Sequence, residues 1–110
     1  MEYQNLPEVT KSRFEAEMPN AGDREKAILL LGIHECSDWR WVQSVYLEWM
    51  QHQDHWIASA AITGLGHLAR CAGQIEKNKV VPALEALAKT RLEMAGKVED
   101  ALGDIEMFAK

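Results

Sequence analysis

The chain predicts an all-α fold, a short right-handed solenoid of about five to six antiparallel helices, and three observations carry that expectation. Gly64-Leu65-Gly66-His67-Leu68 is echoed by Ala101-Leu102-Gly103-Asp104-Ile105, with Leu65 and Leu102 37 positions apart, and more weakly by Leu30-Leu31-Gly32-Ile33, 34 positions upstream. Self-similarity at a period of about 34 to 47 residues marks stacked helical pairs. Apolar residues recur at helical spacing, and no segment alternates cleanly with period two, which argues against a sheet. The turn signals leave only short connections, so successive helices are antiparallel neighbours. Stacked helical pairs usually present binding surfaces to other macromolecules.

Residues 1–22 form an N-terminal segment punctuated by Pro7, Pro19 and the run Asn20 to Gly22; within it, Thr10 to Met18 suits a short helix with Phe14 and Met18 on one face. Residues 23–110 form a single helical domain. Asp23 is placed to cap its first helix, because a short acidic side chain accepts from the free amides of the next turn. That helix runs from Arg24 to Glu35, with Ala27, Leu30, Leu31 and His34 at i, i+3, i+4, i+7. Ser37 or Asp38 caps a helix to His52, where Val42, Val45, Tyr46 and Trp49 make an apolar stripe that Trp41, Leu47 and Met50 widen. Such a broad stripe predicts packing on two sides.

Gln51 to Asp54 is a turn, and Asp54 caps a third helix that reaches Cys71 with Ile57, Ala60, Ala61, Gly64, Leu65 and Leu68 inward. Gly64 and Gly66 each cost roughly 1 kcal/mol of helix propensity. Together with Ala58 to Ala61 they keep this helix thin enough for close neighbours. Gly73 suits a left-handed C-cap. Asn78 is expected to cap a fourth helix to Lys89, with Val81, Leu84 and Leu87 or Ala88 inward and Pro82 tolerated near the first turn. After a break at Thr90 to Ala95, a fifth helix ends at Phe108, with Val98, Leu102, Ile105 and Phe108 or Ala109 on the core face.

A chain of 110 residues, 47% apolar, is long enough for one domain with a real core. Its 17 acidic and 12 basic residues leave a net charge of −5. That balance disfavours direct nucleic-acid binding and docking on anionic membranes, and it suits a basic protein partner. Cys36 and Cys71 make no disulfide framework. The start at Met1 to Asn5 lacks a signal pattern, and the run Ala27 to Leu31 is too short to span a bilayer. A cytoplasmic location is therefore expected.

The Asp54 turn, the segment from Trp56 to Arg70 and the closing stretch from Gly96 to Phe108 together resemble the HEAT-repeat family over roughly residues 23–110. The chain is also similar to small HEAT-like immunity proteins of bacterial polymorphic toxin systems, including contact-dependent growth inhibition. The resemblance implies a cytoplasmic antitoxin, a monomer within a heterodimeric complex. It would bind a cognate toxin domain, commonly a nuclease such as one that cuts transfer RNA, and occlude its active site. The alternative that the resemblance leaves open is a generic HEAT adaptor or regulatory module.

Three groups of residues are candidates for partner binding. Trp39 and Trp41, in the first turn of a helix, would be apolar anchors, whereas Trp49 and Trp56 are assigned to the core or its edge. Glu99, Asp100 and Asp104 would supply negative potential. Asp100 and Asp104 are spaced i, i+4 on the face opposite the core stripe, and a solvated helix face is the plainer explanation of that spacing. Thr63, His67 and Arg70 make a polar row at i, i+4, i+7, on the surface where HEAT-like proteins commonly bind. His52-Gln53-Asp54-His55 spans a turn in which Asp54 is better used as a cap, so no metal is expected. There is no Gly-rich phosphate loop, G-x-S-x-G elbow or paired C-x-x-C, and the expectation is a non-enzyme without a cofactor.

Overall fold

The computed structural model describes residues 10–33 and 38–109. These residues form α1 (Lys11–Glu17), α2 (Asp23–Gly32), α3 (Trp39–Trp49), α4 (His55–Ala72), α5 (Lys77–Thr90) and α6 (Ala95–Phe108), with single 3₁₀ turns at Met18–Asn20 and Leu92–Met94. No strand occurs among the described residues. The all-helical class expected from the sequence is therefore observed. No helix among them is long and apolar enough to cross a membrane.

Local chemistry fixes several helix ends. Asp54 Oδ1 accepts from the amides of Trp56 at 2.9 Å and Ile57 at 3.1 Å, and Asp38 Oδ1 accepts from Trp41 N at 3.2 Å. Gly73 closes α4 with φ 68°, a left-handed conformation in which a side chain would be strained. Two starts differ from the sequence expectation. Gly22, not Asp23, occupies the N-cap of α2, so Asp23 contributes charge in the first turn instead. Glu76, not Asn78, precedes α5, which puts Pro82 in the second turn. The proline is exposed there, so the Asn78 carbonyl that loses its donor can stay hydrated. α2 ends at Gly32; the expected extension to Glu35, with His34, lies outside the described residues, as do Cys36 and Ser37.

α2, α4 and α6 pack side by side. Ser59 Oγ donates to Met94 Sδ at 3.6 Å, and a Cβ on Gly66 would sit 3.5 Å from Ala101 Cα and one on Gly73 4.0 Å from the Phe108 carbonyl. α4 and α6 therefore run in the same direction. α3 and α5 do likewise. Near their starts, Gln43 Nε2 donates to Glu76 Oε1 at 2.8 Å while Glu76 N donates to Gln43 Oε1 at 2.7 Å. Near their ends, the Arg91 guanidinium donates to the carbonyls of His52 at 2.6 Å and Gln53 at 3.3 Å. α3 joins α2 to α4: the Tyr46 ring lies against Gly64, and its hydroxyl donates to the Leu30 carbonyl at 2.6 Å. α1 contributes Phe14 to the same core, with Met18 from the turn that follows it.

The glycines divide by this packing. A Cβ on Gly64 would overlap the Tyr46 ring, whereas one on Gly103 meets no atom within 4 Å. Gly64→Ala is expected to destabilise the fold by about 1–3 kcal/mol through overpacking. Gly103→Ala should stabilise it by roughly 0.5–1 kcal/mol through helix propensity. Chemical denaturation of both variants checks this; shifts of the same sign would mean that Gly64 is not a contact site.

The Gln43 clamp also sets an acid sensitivity. The hydrogen bond from the Gln43 amide, with help from Lys79 and Arg40 and against partial burial, holds the Glu76 carboxyl below its ordinary value of 4.5. A lowered carboxyl pKa gives stability that is present above the ordinary value and lost as pH falls through the lowered one. Glu76→Gln should therefore flatten the loss of melting temperature below about pH 4.5. Superimposable pH profiles for the two proteins would remove Glu76 as a source of that loss.

Candidate functional site

Most of α4 is buried by α2, α3 and α6, including Ile57 to Ile62, Gly64 to Gly66, Leu68 and Ala69. Besides its ends at His55 and at Cys71 and Ala72, α4 leaves one stripe uncovered: Trp56, Thr63, His67 and Arg70, at spacings that return to the same side of the helix. Trp56 begins it and is 75% exposed. The Asp54 cap fixes the Trp56 backbone, and the indole stands edge-on to His55 with ring centres 6.2 Å apart.

Beside Trp56, α2 presents Ala27, Ile28 and Leu31, and the two helix starts enclose a groove of about 600 Å³ rimmed by Asp23, Arg24 and Asp54. Ile28 is 43% exposed, unusually open for an isoleucine on an internal helix. An exposed aromatic and an exposed aliphatic side chain thus lie next to a few rim charges.

Further along the stripe, Arg70 Nε lies 3.7 Å from Asp104 Oδ2 on α6. Both partners are substantially solvated, so the pair adds little to stability and stays open to exchange with an incoming charge. Asp104 is half-buried and leans over Gly66, where a Cβ would meet its carboxylate. It therefore does not lie opposite the core, as its sequence spacing suggested. Asp100, one turn earlier, is exposed.

The structure thus gathers Thr63, His67, Arg70 and Asp104, with Asp100 beside them. It separates the others. Glu99 lines a different groove, between α5 and α6. Trp39 and Trp41 belong to the start of α3 and are half-buried. Trp41 meets Phe14 of α1 edge-to-face at 5.6 Å with Lys11 Nζ 5.4 Å from its ring, and Trp39 lies 4.5 Å beneath the Arg40 guanidinium. Trp41 thereby anchors α1. The assignment of Trp56 to the core or its edge is corrected, because it is the most exposed of the four tryptophans. Its position seven residues before Thr63 was a usable signal, since two turns back along a polar row lies on the same face.

The cluster around the α3–α4 turn is structural. His52 Nδ1 accepts from Asp54 N at 2.9 Å, and the His52 ring stacks on Trp49 at 5.6 Å. Among the described residues no three His, Cys, Asp or Glu side chains converge on a point that could hold a metal ion. No family model, curated protein or solved structure matches the chain.

Proposed function

We propose that the chain is a HEAT-like solenoid whose outward face, built by α2, α4 and α6, binds a protein. We assign it the role of an immunity protein that neutralises a cognate basic toxin domain, a nuclease of the transfer-RNA-cleaving kind, by covering its active site. The observation that carries the binding reading is Trp56, a tryptophan whose backbone is capped at a helix start and whose side chain is 75% exposed beside Ile28. Tryptophan placed this way is the commonest kind of interface anchor.

The solenoid reading is supported by a constant displacement. Ser59 and Met94, Gly66 and Ala101, and Gly73 and Phe108 meet where α4 and its C-cap face α6 and the turn that leads into it, each pair 35 positions apart. That distance falls within the period of stacked helical pairs. The net charge of −5 supports a basic partner, whose approach it would accelerate. The toxin-neutralising role rests on the resemblance of the Trp56 to Arg70 and Gly96 to Phe108 segments to HEAT-like immunity proteins.

The test is affinity capture from the native host at moderate salt, followed by growth rescue. A stoichiometric toxin domain whose toxicity the chain relieves would support the antitoxin role. Stable capture of a non-toxic assembly would transfer the assignment to a regulatory adaptor. Trp56→Ala should weaken the captured complex by about 2 kcal/mol or more and leave the melting temperature of the free chain unchanged. Equal affinity for the parent and Trp56→Ala would remove this face as the interface.

A further inference from the structure

α5 and α6 enclose a groove that no other described helix covers. Two contiguous depressions of about 310 and 460 Å³ share Glu85 and Leu102 along it. Its floor is apolar: Val81, Ala88 and Leu102 are half-buried, and Leu92 is 77% exposed at one end.

The charges on its banks are sorted by helix. Lys77 and Lys89 stand near the two ends of α5, whereas Glu99 and Glu106 stand on α6. The helices run antiparallel, so Lys77 shares the first depression with Glu106 and Lys89 shares the second with Glu99. None of these four side chains forms an ion pair with a described residue. Each cation thus lies across the groove from an anion that it does not reach. Glu85 is the exception to the sorting. It sits on α5 one turn before Lys89, where its carboxylate offsets part of that lysine's charge.

We infer that this groove seats a second copy of the chain, joined about a two-fold axis parallel to the groove. That axis lays α5 of each copy antiparallel along α6 of the other. Lys77 and Lys89 of one copy then face the partner's Glu106 and the partner's Glu99, and the symmetry makes each pair twice. The apolar floors close on each other between the pairs. A two-fold perpendicular to the groove would instead set α5 on α5, opposing Lys77 to Lys89 and Glu99 to Glu106. Like charges in direct opposition are costly, so the sorting of charge selects the first arrangement.

The net charge of −5 on each copy opposes association at long range, but at physiological salt it is screened beyond about 8 Å. α5 and α6 have 14 residues each, about 21 Å of helix. A face of that length lies at the small end of specific interfaces, so the dimer is reversible and concentration-dependent. Neither Trp56 nor Ile28 lines the groove. Each copy therefore keeps its α2–α4 groove open, and dimer formation is independent of what that groove binds.

The experiment is sedimentation equilibrium of the full chain at physiological salt, over concentrations that reach about 1 mM. The parent should approach twice its monomer mass. The dissociation constant should rise at least about tenfold in the double variant Lys77→Glu with Lys89→Glu, and equally in Glu99→Lys with Glu106→Lys. The second variant carries less net charge than the parent, so its loss of association is not general repulsion. An equimolar mixture of the two double variants should associate as tightly as the parent, because each α5 then meets an α6 of opposite sign. Trp56→Ala should dimerise like the parent. A parent that stays monomeric throughout, or self-association that survives both double variants, would overturn the inference. A mixture that fails to associate would overturn the two-fold pairing. Self-association abolished by Trp56→Ala would also overturn it, by moving the contact to the α4 face.

Discussion

The Tyr46 ring rests in the space left by the missing side chain of Gly64, and its hydroxyl donates to the Leu30 carbonyl. One buried side chain thereby sets the positions of three helices. The ring needs a helix with no Cβ at that point. The hydroxyl needs an acceptor, since burying it unpaired would cost about 1–3 kcal/mol. Leu30 supplies that acceptor from α2. With α2 and α4 spaced by this contact, their starts come together, and the Trp56 and Ile28 groove lies between them. The candidate interface thus depends on an internal hydrogen bond that a partner never touches.

The second organising constraint is how much of α4 is already used. A helix that packs on α2, α3 and α6 at once has only a narrow arc left for solvent. Small residues at Ala58, Ala60, Ala61 and Gly66 allow that crowding, and the remaining arc carries Trp56, Thr63, His67 and Arg70. Mobility of this stripe is limited for the same reason, because the helix beneath it is held from three sides. A packed helix beneath an aromatic anchor lowers the backbone ordering cost of association. The side-chain clamps at Gln43 and Arg91 add to this by tying α3 to the start and end of α5.

Signals confined to a few neighbouring residues were legible in the sequence. Asp54 and Gly73 act where their side-chain chemistry placed them, and the α3 and α4 stripes face inward as their spacing required. Glu76 shows the limit of local chemistry. It stands at the N-cap of α5 because Gln43, 33 residues away, accepts its amide, and no local pattern announces that bond. Arg91 is similar, reaching backbone carbonyls 38 and 39 positions earlier. In the sequence Tyr46 is one more member of an apolar stripe, since its acceptor on α2 exists only in the folded chain. Trp56 is exposed although its bulk and hydrophobicity favour burial, and only its position on the polar row points to the surface.

Charge and shape together describe the proposed partner: a basic surface that offers a pocket for Trp56 and exchanges with the Arg70–Asp104 pair. The measurement that bears most directly on this account is hydrogen–deuterium exchange of the chain alone and in its co-purified complex. The account predicts new protection at the exposed start of α4 around Trp56 and on α2 around Ile28. Protection confined to the start of α3, at Trp39 and Trp41, with the α2 and α4 starts unchanged, would contradict it.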